Sequence, residues 1–171
     1  MLKKELIFKI LSFFRHKPSV IFYILISVIV MKEFYIFNVK EEFYKLYKDK
    51  PSELFFIFNR IYYMKPSDKE YGYNLFTQIS NFYKKDEINN LFKNKYSDKI
   101  MYSYNDNEHV INNLFLNEIS ILTVKNSNIR IESNIDRPSF LEQLREIKGA
   151  FFVCNFKEQD YYFLAKKRVK N

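Results

Sequence analysis

One cysteine, two glycines, two histidines and no tryptophan occur among the 171 residues, and the scarcity of cysteine and glycine removes whole classes of function. A lone cysteine cannot build a disulfide framework or a cysteine-ligated zinc site. Two glycines cannot furnish a glycine-rich phosphate cradle, and no Walker loop, dinucleotide fingerprint or Gly-x-Ser-x-Gly elbow is present. No Pro/Gly/Ser linker, internal repeat or low-complexity tract divides the chain. The acidic balance is also short, with 28 Lys and Arg against 20 Asp and Glu, a net charge of +8. That excess sits at the two ends. Residues 1–30 net +4 and residues 165–171 another +4, while residues 31–164 carry 19 charges of each sign. A nucleic-acid groove needs many cations converging on phosphates, so direct nucleic-acid binding is not expected. The tail at 166–171 reads as a solubilising end, the alternative being a salt-sensitive DNA arm.

Aromatics are what the chain has in plenty: 19 Phe and 14 Tyr, 19% of all residues. Disorder is incompatible with that content, and the length suits one compact domain with a sizeable core. Residues 20–31 are apolar or aromatic except Ser27, a run of 12 residues preceded by Lys3, Lys4, Lys9, Arg15 and Lys17. As a helix the run would reach ~18 Å, short of the ~30 Å hydrocarbon core. No small-residue cleavage site follows it. Residues 1–30 therefore read as a short membrane anchor (residues 19–31 being the only route to a bilayer), as a helix packed on the domain, or as an extension upstream of a functional start at Met31.

From residue 31 to 165 the pattern is that of a single α+β domain with a small, mostly antiparallel or mixed sheet and several packed helices. Residues 33–39 are aromatic and β-branched, as in a strand. Helices are expected at 41–48, from Pro51 through Tyr62 and Tyr63, from Tyr71 through Phe82 and Tyr83, and at 86–95. Phe55, Phe56 and Tyr63 add a second apolar face to the helix after Pro51, so that helix is expected to be buried on more than one side. Residues 100–104 suggest a strand. Asn105, Asp106 and Asn107 offer N-caps for a helix through Val110, Ile111 and Leu114. Alternation at 119–123 and 129–132 around Lys125-Asn126-Ser127-Asn128 predicts a hairpin. Pro138 and the Ser139/Glu142 spacing predict a helix running to Lys148 and capped by Gly149, followed by strands at 150–156 and 161–165.

Reactive groups are few. His109, beside Asp106 and Glu108, reads as part of a solvated helix turn, because adjacent residues on a helix start do not converge on a metal. Cys154 lies in an apolar strand with no base nearby and reads as a small core residue. The pairs Glu41/Glu42 and Asp86/Glu87 stand at helix starts, where the macrodipole explains them. No enzyme, metal or cofactor is expected. The aromatics Phe43, Tyr44 and Tyr47 instead crowd a helix of two turns. Phe43 and Tyr47 share a face, while Leu46 and Tyr44 point elsewhere. A short helix usually buries one face. Either one of these faces is an exposed binding anchor, or both are core.

Lys40-Glu41-Glu42-Phe43, with Tyr47 four residues on, directly behind the strand Phe34-Tyr35-Ile36-Phe37, resembles the opening of the sporulation inhibitors of replication, the SirA family. The aromatic closing segments, Phe151-Phe152-Val153-Cys154-Asn155-Phe156 and Tyr161-Tyr162-Phe163-Leu164, resemble the end of that family, and the likeness spans residues 31 to about 165. Looser matches are the Phe-rich helix after Pro51, Gln78-Ile79 and the hairpin around Asn126. The resemblance implies a small cytoplasmic, non-enzymatic protein that binds the N-terminal domain of the replication initiator DnaA and blocks initiation during sporulation. It further implies that Phe43 and Tyr47 contact that partner, with Gln78 as a third contact after a one-residue adjustment. The basic, apolar residues 1–30 are a departure from the family and bear on localisation.

Overall fold

The computed structural model describes residues 31–165, so the expectations for residues 1–30 and for the tail at 166–171 lie outside the described residues. Strand β1 (Lys32–Val39) is the centre of the fold. Its neighbours are β6 (Ile129–Ser133) on one side and β7 (Ala150–Asn155) on the other, both antiparallel to it. The sheet runs β3 (Tyr102–Asn105), β4 (Glu108–Asn113), β5 (Glu118–Val124), β6, β1, β7, β8 (Asp160–Phe163). A two-residue strand, β2 (Ser80–Asn81), pairs with the far end of β1 and completes eight strands, every pairing antiparallel.

The central strands are apolar at successive positions because both of their faces are covered. Phe34, Ile36, Phe151 and Val153 point to one side, where α4 (Lys85–Tyr96) and α5 (Ser139–Leu144) supply Phe92, Tyr96, Phe140 and Leu144. Phe37, Val39, Phe152 and Cys154 point to the other, against α1 (Glu41–Tyr47), α2 (Pro51–Tyr62) and α3 (Lys69–Ile79), where Leu54, Phe55, Phe58 and Phe76 fill the second core. Phe37 stacks on Phe58 with ring centroids 4.1 Å apart and an interplanar angle of 7°. Strands β4 to β6 differ. Ile111, Leu122, Val124, Ile129 and Ile131 join the first core, but the opposite side alternates with polar residues. Arg130 lies on that side with Glu33 at 2.8 Å and Glu132 at 2.9 Å, and Lys157 reaches Glu33 at 3.0 Å. These ion pairs cover part of the sheet surface that has no helix over it, while the buried Arg130 Nε finds no hydrogen-bond partner.

Four expectations about the elements change. Val110 and Ile111 are in β4, not in a helix, since Asp106 and Asn107 both adopt left-handed φ (50° and 64°) and form the two-residue turn of the β3–β4 hairpin. The third helix stops at Ile79, because the chain turns extended at Ser80 to pair with β1, and Phe82 and Tyr83 lie beyond it. On α2, Phe55 is buried but Phe56 and Tyr63 are exposed. The helix at 139 ends at Leu144, well before Gly149, and no Ser139–Glu142 capping box forms. The backbone N–H of Ser139 instead donates to Glu118 Oε1 at 2.8 Å, and its hydroxyl donates to Glu118 Oε2 at 2.5 Å.

His109 is also placed differently from expectation. It is buried in β4, with Tyr102 O–H at 2.7 Å from Nδ1 and Asn89 Oδ1 at 3.0 Å from Nε2. An amide oxygen can only accept, so Nε2 carries the proton and Nδ1 accepts from the tyrosine. Cys154 is buried as expected, and desolvation pushes its thiol well above the usual range.

Candidate partner-binding site

A helix as short as α1, seven residues, has little stability of its own. Lys40 precedes it in extended conformation, Glu41 and Glu42 occupy the first turn and Lys45 the last, which suits the macrodipole. Tertiary contacts hold the rest. Lys40 N–H donates to Ile79 O at 2.9 Å, and Lys40 Nζ donates to Thr77 O at 2.7 Å, so the start of α1 is fastened to the end of α3. Tyr44 meets Phe163 of β8 edge-on with centroids 5.0 Å apart. At the other end Lys48 N–H reaches Tyr44 O at 2.8 Å, Lys50 N–H reaches Tyr47 O at 3.0 Å, and Pro51 begins α2.

Both alternatives for the aromatic faces are answered by a third arrangement. No residue of α1 is buried. Phe43 and Tyr47 are half-buried, lean on the second core and lie nearly parallel, with centroids 6.4 Å apart and an interplanar angle of 13°. Tyr44 turns inward against Phe163, whereas Leu46 is 63% exposed, so those two do not share a face. Gln78 is exposed on the last turn of α3, between Thr77 and Ile79, the two residues that anchor Lys40. The fold thus brings the third candidate to the helix end that α1 is tied to, from a segment some thirty residues further on.

Sequence reasoning passed over a second feature. A cleft of about 460 Å³ opens between α2, α3 and the β5–β6 turn, walled by Phe37, Phe58, Tyr62, Tyr73, Phe76 and Phe82. Its signal was present in the surplus of aromatics on and just after α2 and α3, of which Tyr62, Tyr63, Tyr71, Tyr73 and Phe82 remain exposed. Neither place assembles a reactive set, and among the described residues no group of three His, Cys, Asp or Glu side chains could hold a metal. What α1 offers is a pre-formed aromatic ridge with an aliphatic neighbour and flanking charges, the composition of a protein-docking anchor.

No curated protein matches the chain. The family model described as "Sporulation inhibitor of replication protein SirA" matches residues 32–168, which is most of the chain and takes in every element above, and the protein therefore belongs to the SirA family of sporulation inhibitors of replication.

Proposed function

We propose that the protein is a cytoplasmic, non-enzymatic inhibitor that docks α1 on the N-terminal domain of the replication initiator DnaA and thereby blocks initiation during sporulation. Phe43 and Tyr47 are the anchors and Gln78 is an auxiliary polar contact. One observation carries the reading: the two rings are stacked and half-exposed, on a helix that Lys40 fastens to α3 and Tyr44 to β8. A ridge fixed before binding loses little rotamer entropy when a partner covers it. Membership of an inhibitor family supports the same conclusion, since such a protein needs a partner surface and no reaction centre.

Titration of full-length protein against the isolated N-terminal domain of DnaA tests this. Truncating an aromatic anchor costs ~2 kcal/mol or more, so Phe43→Ala and Tyr47→Ala should each weaken binding at least about thirtyfold. Unchanged affinity in both variants, with thermal unfolding showing them folded, would remove α1 as the interface.

A further inference from the structure

We propose that the β4–β5 turn inserts into the interfacial region of a lipid bilayer. Leu114, Phe115 and Leu116 form that turn and are 82%, 102% and 61% exposed, and Ile100, also 102% exposed, stands beside them ahead of β3. The proximity of Ile100 follows from the pairing: Tyr102 lies opposite Ile111, and Asn112 N–H donates to Met101 O at 2.9 Å. Turns facing water are ordinarily Asn, Asp, Gly or Ser. Three consecutive large apolar residues at such a place are excluded from both cores and gain nothing from the domain.

The surroundings fit hydrocarbon. No charged residue occurs from 110 to 117, in a chain that is 28% charged, so the turn itself carries no ion out of water, while Asp98 and Lys99, just ahead of Ile100, limit the depth to the headgroup region. The turn also carries its own hydrogen-bond partners. The N–H groups of Phe115 and Leu116 donate to Asn113 Oδ1 at 3.1 and 3.3 Å, Asn117 N–H donates to Leu114 O at 3.4 Å, and Asn134 Nδ2 donates to Asn117 O at 2.7 Å. Backbone groups left without partners are what most penalises a loop at membrane depth.

A protein groove could also accept three apolar side chains, and the connectivity of the chain decides for lipid. Lys32 pairs with Ser133, and Ser133 with Ser120, so β1 begins at the same end of the sheet as the β4–β5 turn. The residues before Lys32 join the domain there, and their sequence combines a net +4 with the apolar run at 20–31. That composition suits an interfacial segment attracted to anionic lipid, and one weak anchor generally needs a second to hold. Among the described residues no helix is long and apolar enough to cross a membrane, so the contact of the domain is peripheral. Lys40 and α1 start from the opposite end of β1, roughly 27 Å away, so a lipid-bound molecule keeps Phe43 and Tyr47 free.

The chain has no tryptophan, so Phe115→Trp in the full-length protein gives a unique reporter. With vesicles of phosphatidylcholine and phosphatidylglycerol its emission should shift to the blue and be quenched by lipids brominated near the headgroup. An unshifted spectrum overturns the proposal. Replacing Leu114, Phe115 and Leu116 together by Asn in the full chain should lower vesicle partitioning at least about tenfold while thermal unfolding stays unchanged. Full partitioning by that variant would mean that residues 1–30 bind alone, and would overturn the role of the turn. Light scattering separates the remaining outcome. If the triple variant turns a dimer into a monomer and vesicles bind neither form, the turn joins two copies of the chain and the lipid assignment falls.

Discussion

At His109 both ring nitrogens are engaged inside the first core, beneath the ring of Phe92 at 5.5 Å, and desolvation followed by the nearby Lys93 charge pushes its pKa down to about 4. The folded state therefore prefers the neutral ring, while the unfolded chain titrates near ~6.5. Stability from this site is present above about pH 6.5 and is lost as pH falls towards about 4, by up to ~1.4 kcal/mol for each pH unit in that window. Urea unfolding at neutral pH and near pH 5 should show the loss, and His109→Gln should flatten the pH dependence. A second buried polar group makes the same kind of claim. Glu118 accepts from Ser139 N–H, Ser139 O–H and Ser120 O–H, so Glu118→Gln places an amide NH2 among donors and should cost about 1–3 kcal/mol in the same unfolding experiment. Neither group was legible in the sequence. Asn105-Asp106-Asn107 serves equally as a helix cap or as a left-handed turn, and the hairpin partner decides between them. The Ser139/Glu142 spacing announces a capping box, but the carboxylate that caps α5 arrives from β5, 21 residues earlier.

Elements were easier to read where one physical requirement acted alone. β1, α1, α2, α4 and the β5–β6 hairpin lie within a residue or two of expectation, since apolar period, Pro51 and the polar connector at 125–128 each allow one local solution. The end of α3 was not readable, because Ser80 leaves the helix in order to pair with Val39, a contact fixed by the sheet. That displaced end matters for the candidate site. Lys40 ties the start of α1 to Thr77 and Ile79, the two residues that flank Gln78. Phe43 and Tyr47 were legible as a pair by their spacing, while their half-burial was not, since it depends on the second core that distant elements assemble beneath them. If ridge and Gln78 form one DnaA-facing surface, Gln78→Ala should weaken binding by roughly three- to tenfold, less than either aromatic truncation. A cycle with Phe43→Ala should then be additive within ~0.5 kcal/mol, as for separate contacts that share no partner group. Isothermal titration of the two single variants and the double variant measures this, and a null effect of Gln78→Ala would confine the interface to α1.

Coverage of the sheet is uneven across the whole molecule, and stability should follow it. β1 and β7 have helices on both faces, so Ile36, Phe152, Val153 and Cys154 are wholly or almost wholly buried. Strands β3 to β6 have α4 and α5 on one side only, the other side of β6 carrying the ion pairs of Arg130 with Glu132 and with Glu33 of β1, and β3 is an edge with no buried residue. Opening β1 or β7 exposes two cores at once, whereas peeling β3 from β4 exposes little apolar area. Amides of β1 and β7 should therefore exchange hydrogen only through global unfolding, with those of β3 and outer β4 exchanging through smaller openings. Phe152→Ala sharpens the test. It leaves a cavity against Phe58 and Phe163 and should cost about 3–5 kcal/mol. If β1 and β7 open only globally, that loss appears in full at their amides and leaves β3 exchange nearly unchanged, because β3 already exchanges by a route that keeps the second core intact. Equal acceleration in all strands would instead show a single cooperative unit, in which the edge has no opening of its own.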